Sequence, residues 1–196
     1  MRIIFALAIL LLVSACGPGT SSTEADNFFN DGNYEKAIEL YTDYLDGSPK
    51  HIKSLYNRGR AYEEMGELEK ANQDYLAVLD IDEKHVQANL SLGINSFREG
   101  DAERALFYFG HSVSADPDNY KALVLRGRAF HKLGNFPSAM KDFDEAIRVN
   151  SEGGDAYFYR GIIHLESNTR KACVDFQKAS NLDVKDAKKA LGKYCM

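Results

Sequence analysis

The sequence predicts an all-α fold, an α-solenoid of about five helical hairpins closed by a C-terminal capping helix. The first observation is a column of alanines that recurs at an interval of about 34 residues. The second is an aromatic residue four positions after each alanine, and the third is a glycine five positions before each of the first four. Columns that recur in phase indicate one structural unit used repeatedly. The alanines are Ala37, Ala71, Ala105, Ala139 and Ala172, the aromatics are Tyr41, Tyr75, Phe109, Phe143 and Phe176, and the glycines are Gly32, Gly66, Gly100 and Gly134.

Each unit is predicted to be a pair of antiparallel helices, because apolar residues recur at helical spacing on both sides of the turn, which holds a glycine in the first four units and Asn168 in the fifth. That glycine supplies the positive φ that ends the first helix. A fourth column of small residues lets the two helices approach closely, and the aromatic fills the space where one unit meets the next. The small residues are Ala25, Gly59, Gly93, Gly127 and Gly161. The predicted units span residues 21–51, 52–85, 86–119, 120–153 and 154–183.

The motif Gly-x-x-Tyr, from Gly59 to Tyr62, and the Ala-x-x-x-Tyr/Phe columns resemble the tetratricopeptide repeat, whose period they share. The resemblance covers residues 21–183. It implies that the first helices of the repeats line a concave groove that holds a protein or peptide partner. Chaperone-binding members of this family clamp a terminal carboxylate with a fixed set of cations and asparagines. Asn57 alone matches that set here, so this chain is expected to lack the clamp.

The same resemblance places the groove contacts at defined positions of each first helix. The side chains there are aromatic and aliphatic with several cations among them, a composition typical of binding surfaces. Self-association through the groove, as in a homodimer, and simple packing against the second helices are the alternatives left open. The candidate groove residues are Tyr56, Asn57, Arg60, Leu90, Ile94, Phe97, Arg98, Lys121, Leu125, Arg128, His131, Phe158, Tyr159 and Ile162.

The first fifteen residues have the pattern of an export signal. Arg2 precedes an uncharged apolar run of eleven residues, which is short for a membrane span and has the size of a signal-peptide core. Val13-Ser14-Ala15-Cys16 resembles the lipobox of bacterial lipoproteins. The resemblance implies a signal peptide over residues 1–15 and lipid attached to Cys16. An ordinary cleaved signal and a short membrane helix are the alternatives.

A tether over residues 16–20 then separates the lipid from the repeats. Gly17 follows the cysteine where an aspartate would indicate retention in the inner membrane. By resemblance, the protein is therefore expected to be anchored in the bacterial outer membrane and to face the periplasm.

The last segment, residues 184–196, is predicted to be a helix that covers the apolar end of the array. A basic helix that touches anionic lipid is the alternative interpretation. Cys173 and Cys195 form an even pair in a chain expected to be exported, and a disulfide between them would close a loop of about 22 residues. Two free thiols remain the alternative.

Composition excludes several classes of function. The net charge is −5, which offers no electrostatic reason to expect nucleic acid as a partner. The chain has no His-Glu-x-x-His, no zinc-spaced cysteines, no phosphate-binding glycine loop and no Gly-x-Ser-x-Gly. We therefore expect no catalysis, no metal and no cofactor. The expected function is a membrane-anchored protein-interaction scaffold or adaptor. The alternatives are a structural homo-oligomer and an assembly or targeting factor for an outer-membrane complex, of the secretin or outer-membrane protein assembly type.

Overall fold

The computed structural model describes residues 22–167 and 169–195, which contain eleven α-helices and no strand. The predicted signal peptide, the predicted lipidation site Cys16 and the predicted tether lie outside this part of the chain. The all-α solenoid with a C-terminal capping helix is confirmed. The helices are α1 (Ser22–Asn30), α2 (Tyr34–Gly47), α3 (Ile52–Glu64), α4 (Leu68–Ile81), α5 (Val86–Arg98), α6 (Ala102–Ala115), α7 (Tyr120–Lys132), α8 (Phe136–Val149), α9 (Gly154–Ser167), α10 (Thr169–Asn181) and α11 (Lys185–Tyr194).

The turn inside each of the first four hairpins depends on its glycine. The four glycines have φ between +76° and +90°, a region that side chains with a Cβ rarely adopt. In the second hairpin, the N–H of Glu67 donates to the carbonyl of Tyr62 at 2.9 Å across Gly66. This bond satisfies a carbonyl that the end of α3 would otherwise leave unpaired. The positive φ predicted for this column is therefore confirmed.

The two helices of a hairpin approach closely because the small residue of the first helix lies under the aromatic ring of the second. A Cβ built on Gly93 would come within 2.4 Å of the Phe109 ring, a distance that real side chains do not reach. The ring also serves the junction with the next repeat, since Tyr75 of α4 shares a buried cluster with Ala88 and Leu92 of α5. The Tyr75 ring thus packs within its own hairpin, against Gly59, and against the following one.

Repeats two, four and five contain a buried ion pair that the sequence columns did not predict. In each, an arginine of the first helix donates two hydrogen bonds to an aspartate of the second helix, with one N–O distance of 2.7 Å in every pair. The aspartate side chains are only 4% to 7% exposed. Bidentate charge-assisted bonds of this kind fix the register of two helices as well as their distance. The pairs are Arg58–Asp74, Arg126–Asp142 and Arg160–Asp175.

Repeat three has no such pair, because Leu92 and Tyr108 stand at the two corresponding positions. Leu92 is buried and Tyr108 packs against the same cluster. At this pair of positions, the two helices of a hairpin are therefore joined by an ion pair in repeats two, four and five and by apolar packing in repeat three.

The first helices of repeats two to four are capped by side chains at one repeat position. His51 and His85 accept from the third backbone N–H of α3 and α5 through Nδ1, and Asn119 does the same for α7. Gly153 has no side chain to offer α9. The Tyr120 hydroxyl of the preceding repeat accepts from the N–H of Ala156 at 3.2 Å and takes over that role. Burial is the main cause that raises the pKa of Tyr120, so its hydroxyl stays neutral.

The capping helix α11 covers α10 and buries Ala187 completely. The structure joins Cys173, on α10, to Cys195, directly after α11, in a disulfide with Cα atoms 5.6 Å apart. Of the two interpretations that the sequence left open, the structure contains the bonded form.

Candidate interaction surface

The first helices lie on the inner side of the array. Helices α1 and α3, α5 and α7, and α7 and α9 contact each other directly, across the second helices that separate them in sequence. Elements that touch across a repeat are on the short side of a curved stack, so their outward-facing side chains line its concave surface.

Thirteen of the fourteen candidate groove residues keep part of their surface in solvent. Arg60, Arg98 and Lys121 are exposed, and ten others are half-buried. Leu90 is the exception and corrects the sequence analysis. It is only 8% exposed, because it packs into the buried cluster that includes Ala105 of α6. Leu90 therefore stabilises the repeat junction and offers no contact surface.

Two arginines on the concave face are held by aromatic rings. The guanidinium of Arg60 lies 4.6 Å from the ring centroid of Phe29. That of Arg128 lies 5.3 Å from the ring of Phe97 and 4.8 Å from the ring of Tyr159, so rings from the repeats on both sides flank it. Within the part of the chain that the structure describes, neither arginine forms a salt bridge. Ring faces attract a cation without neutralising it, so both arginines keep their charge available.

The third groove arginine has an acidic neighbour. Arg98 lies 3.8 Å from Glu63, which also accepts a 2.8 Å hydrogen bond from the Tyr75 hydroxyl. Burial and then the Glu63 carboxylate raise the pKa of Tyr75, so this hydroxyl stays protonated and donates. This part of the groove is accordingly polar but close to neutral.

At the N-terminal end of the groove, the charged groups are also paired within the protein. Asp26 accepts hydrogen bonds from Tyr41 at 2.6 Å, from Lys53 at 2.6 Å and from Asn57 at 2.9 Å. Burial alone would raise the pKa of Asp26, but these three donors together hold the pKa below its usual value. The amide of Asn57, a candidate contact, is therefore already engaged within the protein.

Phe29 and Glu63 belong to this surface but were missed by the sequence analysis. Both stand in the column that includes the predicted Phe97 and His131, which are one repeat apart. Extending the predicted column to the first two repeats would have found them.

At its C-terminal end the groove opens into a cavity of about 410 Å³ between α9 and α11. The candidate residues Phe158 and Ile162 form one side of it, and the capping helix forms the other. The Phe158 ring lies 5.3 Å from that of Tyr159, so the cavity continues the surface around Arg128.

Other kinds of site were sought in residues 22–167 and 169–195. No three histidine, cysteine, aspartate or glutamate residues in these ranges are grouped to hold a metal ion. In the same ranges, no helix combines the length and the apolar character needed to cross a membrane.

The class of protein follows from this fold and surface: a helical repeat array that presents a concave face. The profile of the tetratricopeptide repeat family matches residues 22–86, 90–148 and 132–169. The chain therefore belongs to the tetratricopeptide repeat family. Proteins of this family are generally non-catalytic adaptors that bind protein or peptide partners, so the fold suggests a protein-interaction scaffold.

Three similar proteins illustrate the match. Tetratricopeptide repeat protein 6 of Homo sapiens is 29% identical over 156 residues, which are 78% of this chain and 30% of that protein. The chain thus spans under a third of that relative. The structure of MamA from Desulfovibrio magneticus RS-1 has a TM-score of 0.77 and 19% identity, over 86% of this chain and 97% of that one. YrrB, described as having an unusual peptide-binding site, has a TM-score of 0.74 and 17% identity, over 87% and 89%. At these identities the two structures establish the fold alone.

Proposed function

We propose that this protein is a membrane-anchored scaffold of a bacterial envelope that holds a protein or peptide partner in its concave groove. The observation that carries the proposal is the pair Arg60 and Arg128. Both are ring-flanked, lie on the inner face and have no salt bridge to a described residue. An arginine held in place by aromatic rings loses little freedom on binding, which favours it as an anchor for a partner.

The membrane anchor is proposed from the lipobox that ends at Cys16. Several acyl chains, each contributing about 0.8 kcal/mol per buried methylene, hold a protein on a bilayer where one chain does not. The disulfide between Cys173 and Cys195 supports export, because such bonds persist in oxidising compartments such as the periplasm. A tether of five residues reaches at most about 18 Å, so the groove works close to the membrane surface.

The groove is tested by capture of partners from crosslinked envelopes with the purified repeat array. Arg60→Glu combined with Arg128→Glu should abolish capture of the proteins that the wild type retains, while helical content and melting stay nearly unchanged. The matched control reverses two exposed cations of the second helices, Lys141→Glu with Arg170→Glu, and should leave capture intact. Undiminished capture by the groove variant would place the contact elsewhere and refute the proposal.

The anchor is tested separately by mass spectrometry of the amino-terminal peptide of the exported protein. Acyl groups on Cys16 are expected, and Cys16→Ser should release the protein from the membrane fraction. An exported chain without acyl groups would contradict the proposed location.

A further inference from the structure

We infer that the C-terminal half of the groove recognises a partner segment in which a carboxylate side chain precedes or follows a large apolar side chain by two or three residues. This inference rests on the proposed function and names the chemistry of the partner. The recognition site has two parts, the cation Arg128 and the cavity between α9 and α11.

The carboxylate is assigned to Arg128 by charge complementarity. Its guanidinium lies 5.3 Å from the ring centroid of Phe97 of α5 and 4.8 Å from that of Tyr159 of α9. The guanidinium N–H groups have no hydrogen-bond acceptor among the described residues, so they are available to a ligand. These N–H groups match the two oxygens of a carboxylate. No described acidic residue forms a salt bridge with Arg128, so the position is open.

The apolar side chain is assigned to the cavity. Its volume of about 410 Å³ exceeds that of any single side chain and accommodates a leucine, methionine or phenylalanine with adjoining backbone. Its lining is mainly aliphatic and aromatic, and the charged residues there are two lysines and one aspartate, all exposed. An apolar recess that opens to water favours a partner that fills it. The residues that line it are Phe158, Ile162, Leu165, Phe176, Ala190 and Tyr194, together with the exposed Asp186, Lys189 and Lys193.

The number of residues between the acidic and the apolar side chain of the partner follows from the two rings that lie between Arg128 and the cavity. The guanidinium of Arg128 lies 4.8 Å from the Tyr159 ring, and that ring lies 5.3 Å from the Phe158 ring in the cavity wall. The cation is therefore within about 10 Å of the cavity, and an extended chain covers that distance in about three residues. Acidic and apolar side chains two or three positions apart can occupy both places at once.

The test is selection from a displayed library of random ten-residue peptides with the purified repeat array. Retained peptides should be enriched in aspartate or glutamate two or three positions from leucine, methionine or phenylalanine. One retained peptide is then synthesised, and replacing its acid by the amide should weaken binding about tenfold. In Arg128→Gln this penalty should disappear, because the cation that binds the peptide acid is gone. Comparing the two changes singly and together is a double-mutant cycle, which isolates the contact between Arg128 and the acid. Lys141→Gln, which removes a cation from the second helix α8, should leave the tenfold penalty unchanged.

The cavity is tested with Ile162→Ser and with Ala190→Phe, which fills it from the opposite wall. Both variants should bind the peptide about tenfold more weakly and should lose the preference for its apolar residue. Peptides retained without an acid preference, or an acid penalty that persists in Arg128→Gln, would overturn this inference and leave the scaffold proposal standing. A concentration-dependent dimer abolished by Ala190→Phe would assign the cavity to a second copy and also overturn it. Partner capture that survives Arg60→Glu with Arg128→Glu would defeat both proposals.

Discussion

Removing one carboxylate from a buried ion pair should destabilise the array strongly. Asp142→Asn leaves the guanidinium of Arg126, whose side chain is only 23% exposed, without the carboxylate that accepts two hydrogen bonds from it. Breaking a buried pair costs about 3 to 5 kcal/mol, and partial exposure of the arginine puts this case near the lower limit, at about 3 kcal/mol. For a chain of this size, the midpoint of thermal unfolding should fall by about 6 to 12 °C.

Repeat three supplies the matched control. Arg126→Leu combined with Asp142→Tyr installs the residues that Leu92 and Tyr108 provide there, and should cost about 1 kcal/mol or less, because no charge is left buried. Asp144→Asn, which removes an exposed carboxylate from α8, should cost under about 1 kcal/mol.

Urea denaturation followed by far-ultraviolet circular dichroism measures all three variants. A double variant as unstable as Asp142→Asn would refute the idea that an unpaired buried charge, rather than lost packing, causes the effect. A loss in the single variant no larger than that of an ordinary surface substitution, about 0.5 kcal/mol, would refute it too.

Three further predictions concern the caps and the disulfide. Burial lowers the pKa of His85, and its neutral Nδ1 caps α5, so the stabilisation is present above the ordinary imidazole pKa and is lost as the pH falls through the lowered one. His85→Asn should keep the cap and reduce the loss of stability between pH 7 and pH 5 in urea titrations; an unchanged pH dependence would contradict this. Tyr120→Phe should cost about 1 kcal/mol by leaving the N–H of Ala156 without its acceptor, and hydrogen exchange at that amide should accelerate. Cys195→Ser should cost about 3 kcal/mol, and a reductant should lower the melting midpoint of the wild type but not of this variant; equal shifts in both would exclude the disulfide to Cys173 as the cause.

The sequence by itself determined the architecture. A short repeat carries its packing in short-range columns, such as Gly93 beneath Phe109, because each repeat contacts only its neighbours. The turn glycines are equally local, since positive φ is a property of one residue and its own turn. The candidate groove was outlined by resemblance to the tetratricopeptide repeat family, whose contact positions could be carried onto this sequence because the repeat columns set the alignment.

Only the tertiary structure decided what each groove residue does. Leu90 and Arg60 occupy candidate positions alike, but Leu90 is buried at a repeat junction and Arg60 stands in solvent over Phe29. The cavity between α9 and α11 likewise depends on how the capping helix docks. Burial, charge pairing and cavities arise from side chains that converge from different helices, and a column read along one chain does not contain those distances.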